Sequence, residues 1–302
     1  MTMNLNIDYK LIHALDAVIT EKSFENAADK LHITQSAISQ RIKQLEQLMA
    51  EPLIIRGSPP TATEKGQKLI KHLRQVVQLE YELINDVLPQ QLNKPVRISL
   101  ALNADTLASW FIPAITPILQ AQNIELDLHV ANELNTQKLL KRGEVYGAIS
   151  SRDKAVSGCK VQYLGDLQYI LCASPRFKQK YFANGLTPEN LDKAPAVDFD
   201  QNDNMHRSYL HKYFDYSGDS FPCHRVRSSE AFITMALADI AYSILPITQA
   251  QPYLKTGELI DLAPNAHLIQ QLYWHSWVLE KGVHKTISMQ IVRYANNLFN
   301  QQ

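Results

Sequence analysis

Between residues 8 and 48 the apolar positions are spaced so regularly that they leave little choice of local topology. Leu11, Ile12, Leu15, Val18 and Ile19 recur at helical spacing and predict a helix from about Asp8 to Glu21. Ser23 offers an N-cap for a second, short helix through Phe24, Ala27, Ala28 and Leu31. After a break at His32 and Ile33, Thr34 caps a third helix whose inner stripe is Ile38, Ile42 and Leu45. Two helices separated by a few residues, the second polar on its outside, make a helix-turn-helix pattern. At about 100° per residue, Ser36, Gln40, Lys43 and Gln47 stand opposite the stripe, with Ser39 on the flank. Short hydrogen-bonding side chains there suit major-groove readout, since Gln pairs bidentately with adenine and Ser adapts to several base edges. An ordinary solvated helix face has the same periodicity, so the pattern alone leaves both readings open.

Charge adds a second constraint. The chain carries 30 Lys and Arg against 30 Asp and Glu, which excludes a bulk polycation that coats nucleic acid. Its distribution is uneven: Lys30, Arg41, Lys43, Arg56, Lys65, Lys68, Lys71 and Arg74 face only Glu46, Glu51 and Glu64 in the same segment, a local excess of about five positive charges. Pro52 to Arg56, followed by Gly57, Ser58, Pro59 and Pro60, reads as a short strand and turn, the shape of a wing, with Arg56 toward a phosphate backbone. A long helix is expected from Thr63 to about Leu88. Its stripe of Leu69, Leu73, Val76, Leu83 and Val87, interrupted by Glu80, predicts pairing with a second copy of the same helix.

The length, 302 residues, favours two domains of ordinary size. Pro89 to Pro95 reads as a polar, proline-bounded hinge. The expected division is therefore a winged helix-turn-helix over 1–62, a linker helix and hinge over 63–94, and an α/β domain over 95–302. In that last part, strand-like Val96–Leu102, Ile124–Val130 and Val145–Ser150 alternate with helices near Thr106–Gln120 and Asn135–Arg142, in the manner of a parallel α/β sheet. Further strands are expected at Tyr169–Ala173, Ala196–Phe199, Ser243–Leu245 and Leu272–Val278, and a closing helix at Lys285–Phe299. Cys159, Cys172 and Cys223 form no C-x-x-C pair, so each is expected as a buried, reduced thiol. Asp8, Lys10, His13 and Asp16 interrupt any apolar leader core, and no run reaches the roughly 18 apolar residues of a membrane span. A cytoplasmic, nucleoid-associated protein is the expectation.

The stretch AADKLHITQSAISQRIKQLE (residues 27–46), followed by PLIIR (52–56), resembles the N-terminal signature of LysR-type transcriptional regulators. The similarity continues through TEKG (63–66), NADTLASWFIP (103–113), RGEVYGAIS (142–150), PCHRVRSSEAF (222–232) and LYWH (272–275), and these later segments are similar to the branch that regulates arginine export and is also described as inhibiting replication initiation. The resemblance implies a winged helix-turn-helix, a dimerising linker helix, and an effector domain of two α/β lobes like periplasmic binding proteins. It also implies double-stranded operator DNA and RNA polymerase as partners, a homodimer or homotetramer, and lysine or arginine as effector, with control of amino-acid export or biosynthesis genes. DNA contacts then fall to Ser23, Thr34, Gln35, Ser36, Ser39, Gln40, Arg41, Lys43 and Arg56. One departure stands out: the run ending at Leu245 and Pro246 is preceded by Asp239 and Ala241, where many members have Gly-x-Gly.

A basic amino acid brings a carboxylate, an α-ammonium and a second cation. In open α/β sheets its pocket lies at the carboxyl ends of strands, where helix N-termini offer free N–H groups. Asn103, Ala104, Asp105 and Thr106 occupy one such junction, and Ser228, Ser229 and Glu230 open another helix. Asn132 and Glu133 end the second strand, Ser150 and Ser151 the third, and Asp198 and Asp200 flank Phe199. Glu133 is the expected partner of the side-chain cation, through charge-assisted hydrogen bonds. Helix capping equally explains Asp105, Thr106, Ser228 and Ser229, and solvated surface charge explains Asp198 and Asp200.

Competing functions have less support. G-x-S-x-G, G-x-x-x-x-G-K, G-x-G-x-x-G and H-E-x-x-H are absent from the sequence, so no enzyme signature is present and no cofactor is expected. His206 and His211, five apart on one helix, project about 140° from each other, a poor metal pair. Trp110, Trp274 and Trp277 read as packed aromatics rather than a stacking platform. An origin-binding protein without effector sensing, or a regulator of another metabolite, is the remaining alternative.

Overall fold

Local signals and long-range packing divide the work differently in the two units of this chain. The computed structural model describes residues 7–87, 95–131, 133–218 and 221–300, with the side chains of residues 85, 86, 133 and 134 outside that description. The expected hinge at 89–95 therefore lies almost wholly outside the described residues.

The N-terminal elements are α1 (Tyr9–Glu21), α2 (Phe24–Leu31), α3 (Gln35–Met49), β1 (Ile54–Ile55), β2 (Thr61–Ala62) and α4 (Glu64–Val87). Each of the first three helices starts at a capping side chain. Asp8 accepts from Lys10 N, Ser23 from Glu25 N and Asn26 N, and Thr34 from Ala37 N. Such a cap contributes about 1 kcal/mol by satisfying an amide that the helix leaves unpaired. β1 and β2 pair antiparallel, Ile54 with Ala62 and Ile55 with Thr61, and form the wing. The wing is seated on α4 through Gly66, where an added Cβ would lie 2.2 Å from Leu53 O. Beside it, Thr63 N donates to Leu53 O at 3.0 Å and Thr63 Oγ1 to Pro52 O at 3.0 Å.

Leu73 corrects the expected helix pair. It is 1% exposed and shares a core with Ile12, Leu15, Val18, Ile38, Ile42, Leu45 and Ile70, with Leu69 packed against it. The first half of α4 thus completes the winged domain. The apolar residues left exposed on this helix are Val77, Leu83, Ile84 and Val87.

From Val96 onward the elements are β3 (Val96–Leu102), α5 (Ala104–Thr106), a π-helical turn (Leu107–Phe111), α6 (Ile112–Ala121), β4 (Ile124–Val130), α7 (Glu133–Lys141), β5 (Gly147–Ser150), β6 (Cys159–Ala173), α8 (Pro175–Tyr181), α9 (Pro188–Leu191), β7 (Ala196–Asp198), α10 (Met205–Phe214), β8 (Cys223–Arg225), α11 (Ser229–Leu237), β9 (Ser243–Pro246), α12 (Ile247–Thr256), β10 (Ile260–Asp261), β11 (Leu268–Trp277) and α13 (Gly282–Phe299). The main sheet runs β10-β6-β11-β5-β3-β4, with β9 also on β6, and β7 and β8 form a separate parallel pair. β3 and β5 are parallel as expected, whereas β11 is antiparallel to both β5 and β6. The sheet is therefore mixed.

Two departures from the expected elements have physical causes. The helix expected over 106–120 is interrupted by the π-helical turn, which ends two residues before Pro113, a residue with no N–H to continue the ladder. β6 is 15 residues long, but only its last five were anticipated. Its first half carries Lys160, Gln162, Gly165 and Asp166, which hide the strand signal. Gly165, at φ +141°, lies where the β6–β11 register shifts, and an added Cβ would stand 2.4 Å from Phe299 Cβ. Trp110, Trp274 and Trp277 are all packed: Trp110 meets Phe299 edge-on, and Trp274 Nε1 donates to Ser288 Oγ at 2.9 Å. Cys159 and Cys172 are buried thiols, but Cys223 is only half-buried.

Candidate functional site

On α3 the stripe Ile38, Ile42 and Leu45 is buried, which turns Gln35, Ser36, Ser39, Gln40 and Lys43 outward as a continuous exposed face. Thr34 Oγ1 accepts from Ala37 N and lies 3.0 Å from Ser36 Oγ, so the first turn is held rigid where it would enter a groove. Ser23 is half-buried, and its oxygen is committed to capping α2.

Seven of the eight basic residues from Lys30 to Arg74 sort into two sets. Lys30 pairs with Glu21, Lys65 with Glu51, Lys68 with Glu64 and Arg74 with Asp16. Among the described residues no ion pair engages Arg41, Lys43 or Arg56. Those three are cations available to an external anion. Arg56 is exposed directly after β1 of the wing.

A cavity of about 600 Å³ opens where the carboxyl ends of β3 and β4 meet the loop after β7. Asn103, Ala104 and Asp105 line it from the β3–α5 junction, and Val130 and Ala131 from the end of β4. The loop from Phe199 to Asn204 supplies Asp200, Asn202 and Asp203; α10 supplies His206, Tyr209 and Lys212; Phe232, Ile244, Leu268 and Ile269 add apolar lining, with Gln270 beside them. Three carboxylates thus face one lysine among the described lining residues.

These carboxylates differ. Both oxygens of Asp203 bond the loop: Oδ2 accepts from Phe199 N at 3.1 Å and Oδ1 from Met205 N at 2.9 Å. Asp200 Oδ1 accepts from Asn202 N, and its Oδ2 stands 3.6 Å from Arg227. Asp105 Oδ1 accepts from Ser229 Oγ at 2.7 Å and Oδ2 from Tyr169 OH at 2.9 Å. Burial pushes the Asp105 carboxyl above its ordinary value, against the two hydroxyl bonds, and Asp203 and Glu230 add repulsion. An ionised Asp105 is therefore costly until a cation arrives.

Asn103 and Asp105 are the two effector-site candidates that the structure places on the cavity wall, joined by Asp200. Asn103 also caps α5, accepting from Thr106 N at 2.9 Å. The other described candidates lie off the cavity wall. Thr106 is fully buried beneath the junction. Ser150 is buried in the sheet, accepts from Arg152 N at 3.2 Å and lies 3.3 Å from His275 Nε2. Ser228 caps α11, accepting from Ala231 N, and donates to Glu230, which is exposed. Ser229 acts through Asp105. Asp198 is neither a surface charge nor on the cavity wall; it is 6% exposed and 2.9 Å from His206 Nδ1. Burial raises its carboxyl, but His206, the Cys223 thiol and Arg207 outweigh that and hold it below its ordinary value. Asn132 and the Glu133 side chain lie outside the described residues.

Sequence reasoning missed Asp203, Lys212 and Tyr169. The run Asp200-Gln201-Asn202-Asp203-Asn204 is a legible signal of a polar turn, but nothing local ties it to Asp105. Asp239, where a glycine was noted as missing, adopts φ 62° and its carboxylate accepts from Ser174 Oγ. The backbone keeps the left-handed form that glycine would favour, with an aspartate tolerated in its place. Among the described residues no group of three His, Cys, Asp or Glu is placed to hold a metal, and no helix is long and apolar enough to cross a membrane.

Comparison with known proteins follows the same division. Residues 9–67 match the bacterial regulatory helix-turn-helix protein model of the lysR family, and residues 91–277 match the LysR substrate binding domain. The HTH-type transcriptional regulator ArgP of Aeromonas salmonicida is 51% identical over 286 residues, 95% of this chain and 96% of its own length. That of Photobacterium profundum is 46% identical over 295 residues, 98% of this chain and 99% of its own. Among solved structures, ArgP from Mycobacterium tuberculosis superposes with a TM-score of 0.86 at 31% identity, covering 96% of this chain and 98% of its own. Full-length LysG from Corynebacterium glutamicum with bound effector arginine gives 0.82 at 30% identity, covering 96% and 99%. With a substrate-binding-domain match spanning more than half its length and relatives this similar end to end, the chain belongs to the LysR family of bacterial helix-turn-helix regulators.

Proposed function

We propose that this chain is a DNA-binding transcriptional regulator, not an enzyme, that senses a basic amino acid and controls genes of amino-acid export or biosynthesis. The observation that carries the effector half is the cavity itself: Asp105, Asp200 and Asp203 line it with a single lysine, and Asp105 sits at the strand-end junction suited to an amino-acid head group. A cationic ligand removes the cost of the buried Asp105 charge. The solved relative that holds arginine as its effector supports the same ligand class, with lysine as the other member. In this reading Asn103 and Asp105 grip the head group, and Asp200 or Glu133 takes the side-chain cation.

The DNA half rests on α3. Gln35, Ser36, Ser39 and Gln40 read base edges of double-stranded DNA, with Thr34 and Ser23 fixing the helix starts, while Arg41, Lys43 and Arg56 neutralise phosphates. Val77, Leu83, Ile84 and Val87 on α4 form the face for a second copy, giving a homodimer that can pair again into a tetramer. RNA polymerase is the partner through which a DNA-bound regulator acts, and the setting is the cytoplasm, on the nucleoid. The proposed boundaries are 1–62, 63–94 and 95–302.

Calorimetric titration of the full-length protein with L-lysine and L-arginine, alongside gel shifts with and without each, tests the reading. Binding of either, lost in Asp105→Asn, with a changed operator complex is the expected result. Operator binding indifferent to both amino acids would leave a DNA-binding protein without this effector.

A further inference from the structure

We infer that Tyr169 and Ser229 are positioning residues that hold the Asp105 carboxylate in place for a ligand cation and favour its ionised form. On the basic-amino-acid reading of the cavity, on which this role rests, Asp105 is the acid that meets the ligand. Its two oxygens are claimed one each, Oδ1 by Ser229 Oγ at 2.7 Å and Oδ2 by Tyr169 OH at 2.9 Å. The donors come from separate elements, β6 and α11, and both are buried, Tyr169 at 1% and Ser229 at 0% exposure. The carboxylate plane is thus fixed by two long-range anchors rather than by its own short helix. Each oxygen retains a lone pair for a ligand N–H, because an ionised carboxylate offers about four acceptor sites.

The same bonds act on the charge. A hydroxyl that donates to a carboxylate favours the ionised form; a neutral acid must carry its own proton on one of the two oxygens and give up a bond. Burial disfavours the charge, and the Asp203 and Glu230 carboxylates repel it. Gln249 Oε1, on α12, is a second and longer acceptor for the Ser229 hydroxyl at 3.2 Å, against 2.7 Å to Asp105. Asp200, His206 and Lys212 face the same cavity. Without the two hydroxyls Asp105 holds its proton more tightly, an incoming cation must expel it, and the loss of binding on acidification moves to higher pH.

The test is the affinity of full-length wild type, Tyr169→Phe and Ser229→Ala for L-lysine and L-arginine, measured by calorimetry across about pH 5.5 to 8.5. Tyr169→Phe removes one oxygen and keeps the ring, so thermal unfolding should remain cooperative. Expected is a loss of about tenfold at neutral pH for each variant, in keeping with one charged hydrogen bond. That loss should grow as pH falls, so the acid limb of the binding profile moves to higher pH. The two variants fold independently of each other, so one suffices if the other is unstable. Wild-type binding with a uniform loss at every pH, or with no loss, overturns the positioning role while leaving the effector reading intact. Failure of the wild type to bind either amino acid defeats the effector reading and this role with it.

Discussion

Arg74 on α4 reaches back to Asp16 on α1, donating from Nε at 3.0 Å and from Nη2 at 2.7 Å to the same carboxylate oxygen. Its Nη2 also lies 3.2 Å from Thr20 Oγ1. The guanidinium thereby clamps the long helix to the first helix of the winged domain. Each side chain is about a quarter exposed, so solvent screens the pair only in part. Arg74→Ala should destabilise the N-terminal unit by about 1 to 2 kcal/mol. Arg74→Lys should recover less than half, because an ammonium cannot reproduce the fork. Denaturant midpoints of the three proteins measure this, and equal midpoints would show the clamp to be energetically idle.

Leu73 and Leu83 lie on one helix but predict different failures. Leu73 is 1% exposed in the winged core, whereas Leu83 is 62% exposed. Leu73→Ala should cost about 2 to 5 kcal/mol of folding stability through lost burial and a cavity. Leu83→Glu should leave folding near wild type and weaken self-association, by placing charge in the proposed seam. Sedimentation and circular dichroism on both variants separate the two roles. A Leu83→Glu protein that sediments as wild type does would move the seam elsewhere.

Gln40 and Arg56 should also fail differently. Gln40→Ala removes a group able to read a base edge, so preference should relax at particular operator positions by about 1 to 3 kcal/mol. Arg56→Ala removes a charge without an ion pair among the described residues, so all sequences should weaken alike and the salt slope should fall by roughly one. Binding to a randomised operator library at several salt concentrations gives both numbers. Unchanged discrimination by Gln40→Ala would reassign the reading face.

Asp105 and Asp198 make opposite contributions to the pH dependence of stability. Burial raises the folded Asp105 carboxyl above its ordinary value, so the native state holds that proton longer than the unfolded chain. Stability therefore falls as pH rises from about 4 toward the raised value. The Asp198 carboxyl is lowered despite burial, because His206 and its neighbours favour the charge. Its contribution is present above about pH 4 and is lost as pH falls through the lowered value. In the ligand-free protein, Asp105→Asn should flatten the decline on the neutral side, and Asp198→Asn should lower stability at neutral pH and reduce the loss on acidification. Unfolding free energies between about pH 3 and 8 check both signs.

The recognition segment was readable because its instructions are local. Caps at Ser23 and Thr34, the stripe of Ile38, Ile42 and Leu45, and the outward Gln35, Ser36, Ser39, Gln40 and Lys43 all act within a few turns of chain. Gly66 belongs with them, although the reason for it, the Leu53 carbonyl pressed against its Cα, emerges only in three dimensions. Strands β3, β4 and β5 were equally legible as apolar runs, and Asn103 and Asp105 as a strand-end junction.

What tertiary structure alone decided is which charges meet. Asp105 lies 64 positions from Tyr169 and 124 from Ser229, and Asp198 joined His206 rather than the cavity. Periodicity assigned Leu73 to a helix seam, whereas packing placed it in the winged core. Helical phase states which residues share a face, but not what that face is pressed against. Side chains at the ends of different strands become neighbours only when the sheet order is set, and that order is fixed by the sum of many long-range contacts, not by any local run of residues. The sequence by itself therefore determined the helices of the winged domain and the family of the fold; long-range packing selected the carboxylates of the cavity and the hydroxyls that bond Asp105.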